Sequence, residues 1–74
     1  MDAGEWTDRL AAALGVDPPS EEEVEALLGL AGIAAHSSER TAAPVSCWLV
    51  ARAGVAPAEA LERVKRLAKD LDGR

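Results

Sequence analysis

The 74-residue chain has no Phe, Tyr, Asn or Gln, and only one Cys, one His and one Ile. Each scarcity excludes something. One Cys can neither close an intramolecular disulfide nor build a Cys-based zinc site. Without Phe and Tyr, and with a single Ile, strand-forming material is thin. The longest apolar run, Leu27 to Ala35, spans nine residues and includes Gly29 and Gly32. A bilayer-spanning helix needs about 20 residues, so no membrane segment is predicted. No basic segment followed by an apolar stretch opens the chain, and a cytoplasmic protein is expected. The length is too small for a Rossmann unit with its partner domain, a TIM barrel or a kinase fold. No Gly-rich phosphate loop, HExxH or Asp-rich calcium loop occurs. No cofactor, metal or catalytic residue is therefore predicted, and the expected function is non-enzymatic.

What is abundant is Ala (16) and Leu (9). These head the helix scale, and the predicted fold is all-α, a compact bundle of four short helices in a single domain over residues 1–74. Frequent Ala with no Asn, Phe or Tyr also suggests a high-GC bacterial source. The formal charge of −5 is unevenly distributed. Residues 1–37 hold eight acids and one base (net −7), and residues 38–74 hold five acids and seven bases (net +2). Much of this is helix-end chemistry, with Glu21, Glu22, Glu23 and Glu25 placed at the positive end of a helix dipole.

Helices are predicted at about 3–14, 20–37, 42–53 and 57–71. The first places Trp6, Leu10, Ala13 and Leu14 on one stripe. Gly15 suits a left-handed stop, and Pro18-Pro19 cannot continue a helix. The second opens on Ser20-x-x-Glu23, a capping box. The third begins between Thr41 and Pro44, because Pro is tolerated in a first turn. The fourth opens at Pro57 with Ala60, Leu61, Val64, Leu67, Ala68 and Leu71 on one face. Its Glu59–Arg63 and Glu62–Arg66 pairs stand four residues apart in the favourable order. Gly15-Val16-Asp17-Pro18 and Gly54-Val55-Ala56-Pro57 read as one stop signal used twice.

The third helix is apolar nearly all round, through Val45, Cys47, Trp48, Leu49, Val50, Ala51 and Ala53. Such a helix demands cover on every side. Three short neighbours leave some of it bare, so a protein partner or a second copy is expected on Val45, Trp48, Leu49 and Val50. On the second helix, Glu25, Gly29, Gly32 and His36 form the less apolar strip. Two Gly within a helix each cost about 1 kcal/mol against Ala, which points to a close approach, by another helix, by Trp48 or by a ligand. His36 and Arg40 could meet one anion, nucleotide or cofactor phosphate. The structural alternative has Arg40 capping the second helix or pairing with Glu39 or Asp17. Cys47 is expected as a small buried apolar residue, and Trp6 and Trp48 as core anchors.

Two other small helical designs do not fit. An acyl carrier protein needs a Ser in an Asp-Ser-Leu setting for its prosthetic arm, whereas Ser20 lies between Pro19 and Glu21, and Ser37-Ser38 between His36 and Glu39. A helix-turn-helix DNA reader needs a basic recognition helix. Residues 56–74 carry five bases against four acids, and the rest of the chain repels phosphate. Nucleic acid is not an expected partner.

The stretch Leu27-Leu28-Gly29-Leu30-Ala31, followed by Ala34-Ala35-His36-Ser37-Ser38-Glu39-Arg40-Thr41-Ala42-Ala43-Pro44-Val45, resembles the DUF6457 family of short bacterial helical domains. Trp6 and the Leu61 to Leu71 helix fit the same layout, so the resemblance spans nearly the whole chain. The motif positions are His36, Glu39, Arg40, Ala43 and Pro44. Ser37, Thr41 and Val45 stand where Gly, Pro and Leu are usual. Members occur alone or fused to a molybdenum cofactor guanylyltransferase-like nucleotidyltransferase domain. The resemblance thus implies an accessory role near molybdenum cofactor metabolism and supplies no reaction.

Overall fold

A computed structural model describes residues 1–73. Among them are four α-helices: α1 (Ala3–Leu14), α2 (Glu21–Ser37), α3 (Ala42–Ala53) and α4 (Pro57–Asp72). The all-α fold follows the composition, and each predicted boundary lies within one residue of the observed one. Ser20 is the cap before α2 rather than its first residue, and α4 runs one residue beyond Leu71.

The termini show why the helices begin and end where they do. Asp2 caps α1 by accepting the Glu5 N–H at 2.8 Å. At α2 the capping box is complete: the Glu23 N–H donates to Ser20 Oγ at 3.1 Å, and the Ser20 N–H donates to Glu23 Oε1 at 2.8 Å. The start of α3 has no side-chain cap. Instead the Ala42 and Ala43 N–H groups donate to the Glu39 and Arg40 carbonyls at 2.9 and 3.1 Å, a tight turn that occupies these donors.

The duplicated connector is one structural device. Gly15 and Gly54 adopt φ of 73° and 71°, a region that costs a side-chain-bearing residue about 1–2 kcal/mol. After α1, the Gly15 N–H donates to Ala12 O and the Val16 N–H to Ala11 O. After α3, the Gly54 N–H donates to Ala51 O and the Val55 N–H to Val50 O. Both are Schellman stops, in which a left-handed residue turns two amides back onto the last free carbonyls.

Helix α2 is the centre of the fold and packs against both α3 and α4, whereas α1 has no comparable partner. The molecule is accordingly elongated, 43 × 23 × 19 Å. The fully shielded residues are Ala11, Ala26, Leu30 and Ala60, with Leu30 at 0% exposure. A core of three Ala and one Leu is small, and neither indole enters it. That geometry overturns the expectation for the two Trp: neither is a core anchor, and both stand in solvent.

Candidate functional site

A compact folded chain of 7.7 kDa exposes about 4,300 Å² of surface. This one exposes 5,859 Å², an excess of about 1,500 Å². Exposed large apolar side chains occur on every helix: Trp6, Leu10 and Leu14 on α1, Leu28 on α2, Val45, Trp48 and Leu49 on α3, and Leu67 and Leu71 on α4.

On α3, Val45, Trp48 and Leu49 are all exposed, Trp48 at 57%. Their spacing of three and four residues aligns them on one face. Arg52, one further turn along, sets its guanidinium carbon 5.1 Å from the Trp48 ring centroid. The opposite side of the helix, including Ala43, Ser46, Cys47 and Val50, is half-buried. The structure therefore gathers three of the four predicted interface residues and separates the fourth. Val50 is half-buried, and together with Leu49 at its edge it lines a shallow depression between α3 and α4 with Ala53, Ala60 and Val64.

Helix α1 is turned in an unexpected direction. Its stripe of Trp6, Leu10 and Leu14 faces solvent, with Trp6 59% exposed. The edge it presents to α2 is Gly4, Thr7 and Asp8, which share a cleft with Pro19, Glu21, Val24 and Glu25. Ala11 is buried on that same edge. Sequence periodicity identified the stripe but not its direction. Leu28 of α2 is likewise exposed.

The predicted anion site is looser. His36, Arg40, Gly29 and Gly32 are all exposed. Neither His36 nor Arg40 takes part in an ion pair or side-chain hydrogen bond among the described residues, so Arg40 pairs with neither Glu39 nor Asp17. The Glu39 carboxylate instead accepts the Thr41 hydroxyl at 3.2 Å. The two glycines separate in role. A Cβ built on Gly29 would lie 3.2 Å from Leu61 Cδ1 of α4, whereas one on Gly32 would meet nothing within 4 Å. The close approach is made by α4, not by Trp48, and it accounts for Gly29 alone.

An apolar groove of about 210 Å³ runs between α2, α3 and α4, lined by Ile33, Ala34, Val64, Leu67, Ala68 and Leu71 among others. His36 and Arg40 are not part of its wall. Cys47 is a free, half-buried thiol. Among the described residues, no three of His, Cys, Asp and Glu converge on a possible metal site. No helix there is long and apolar enough to cross a membrane.

Nothing among curated proteins or solved structures matches the chain significantly. Its relationship comes from a family model that covers residues 1–74, and the chain belongs to the family described as a domain of unknown function, DUF6457.

Proposed function

We propose that this chain is a non-enzymatic docking module that binds protein through the outward face of α3. The observation that carries the reading is the exposure of Val45, Trp48 and Leu49 on one helix face. A Trp flanked by aliphatic side chains and an Arg has the composition of a binding hot spot. Holding that face in water costs roughly 25 cal/mol per Å² relative to burying it. Cover by a partner relieves this cost, and nothing in α3 offers a competing chemical role.

The molybdenum cofactor link implied by the family resemblance names a class of partner: a nucleotidyltransferase domain acting on that cofactor, in a cytoplasmic setting. Calorimetric titration of this chain into such a domain tests the reading. Saturable binding that Trp48→Lys abolishes is the expected result. Equal binding by wild type and variant would remove α3 from the contact.

A further inference from the structure

We infer that the protein which covers the apolar face of α3 is, in the first instance, a second copy of this chain, docked through α1. The inference rests on the α3 docking reading and names its occupant. Each copy offers two unpartnered stripes, Trp6-Leu10-Leu14 on α1 and Val45-Trp48-Leu49 on α3. Both helices are 12 residues long, so each can lie along the full length of the other. In a two-fold dimer, α1 of each copy lies on α3 of the other, and one contact made twice covers all four stripes.

Coverage and charge both favour this occupant. The two stripes hold six of the eleven exposed large apolar side chains among the described residues, so this one pairing removes more than half of them from water. The stripes also differ in electrostatic setting. Asp2, Glu5 and Asp8 outnumber Arg9 along α1 and its cap, while Arg52 is the one charged residue of α3. An antiparallel crossing brings the acidic start of α1 towards Arg52 in the last turn of α3 and aligns opposite helix dipole ends.

The test is sedimentation equilibrium of the full chain from low micromolar to about 100 µM, with Trp emission recorded at each concentration, since tight dimers persist well below that range. A dimer is expected, with emission shifting to the blue as both indoles leave water. Leu10→Glu and Leu49→Glu should each weaken association at least about tenfold. Both side chains are exposed in the single copy, so helicity by circular dichroism should not change. Mixing the two variants should restore part of the association, because the mixed dimer keeps one intact α1–α3 contact. Leu10→Ala and Leu49→Ala repeat the comparison without introducing charge.

A monomer throughout the range overturns the inference. So does a dimer indifferent to Leu10, which would place α1 outside the contact. Either result leaves the α3 docking reading to be judged by the Trp48-dependent titration with the nucleotidyltransferase domain.

Discussion

Leu61 of α4 stands so close to Gly29 of α2 that a Cβ at position 29 would lie 3.2 Å from its Cδ1, while the same addition at Gly32 enters open space. The two substitutions should therefore behave differently. Gly32→Ala gains helix propensity at no steric cost and should stabilise the chain by about 0.5–1 kcal/mol, raising Tm by several degrees. Gly29→Ala has the same backbone gain but forces Leu61 to shift, and its Tm should fall below that of Gly32→Ala. Parallel thermal melts decide it. Equal gains would show that Leu61 yields freely.

Leu30 is the one large side chain wholly removed from solvent. Leu30→Ala should cost about 2–5 kcal/mol. A small domain has only about 5–15 kcal/mol of stability at best. The expected outcome in urea denaturation is a marked fall in midpoint or loss of the cooperative transition. A variant with a near-native midpoint would mean that the core lies elsewhere.

The two inner helices begin with different chemistry, and this can be read in stability. Ser20→Ala removes the hydroxyl that accepts the Glu23 N–H, while the backbone N–H at position 20 can still donate to the Glu23 carboxylate, and should cost about 1 kcal/mol. Thr41→Ala removes only the exposed bond from its hydroxyl to Glu39 and should cost less. Comparable losses would imply that Thr41 caps α3 after all.

Trp48 serves as a contact residue and not as a core residue. Truncating a buried Trp costs about 3–5 kcal/mol. Trp48→Ala, measured at concentrations where the chain is a single copy, should cost well under that. Its association should nonetheless fall sharply. A large loss of single-copy stability would return Trp48 to the core.

His36 and Arg40 are both exposed, and neither side chain is held by an ion pair or hydrogen bond among the described residues. Titration with inorganic phosphate, followed by NMR at the His36 ring, should give no saturable shift at millimolar concentration. A saturating shift that Arg40→Ala removes would establish the anion site.

Much of the local structure was legible because its causes act over a few residues. Ser20 and Glu23 complete each other's hydrogen bonds within one turn. Gly15 and Gly54 end their helices through a backbone conformation available locally. The Asp2 cap is equally local, and an acceptor three residues before Glu5 is its signal. The candidate surface was legible only in part. Apolar spacing marked Val45, Trp48 and Leu49 as needing cover, and it marked Trp6, Leu10 and Leu14 as a stripe. It could not separate Val50, whose side of α3 meets the remainder of the fold.

By itself, the sequence determined four helices, their stops and the want of material for anything else. Hydrogen bonding and steric limits within a turn suffice for that. Only the tertiary structure decided which faces the helices bury, because that choice is a competition among distant surfaces for one small core. Ala26, Leu30 and Ala60 are shielded where α2 meets its neighbours, and the small side chains among them bring the helix backbones close together. The apolar stripes of α1 and α3 are outside because each helix turns smaller residues towards the rest of the fold, Gly4, Thr7 and Ala11 on α1 and Ala43, Ser46 and Cys47 on α3, and these permit the closer approach.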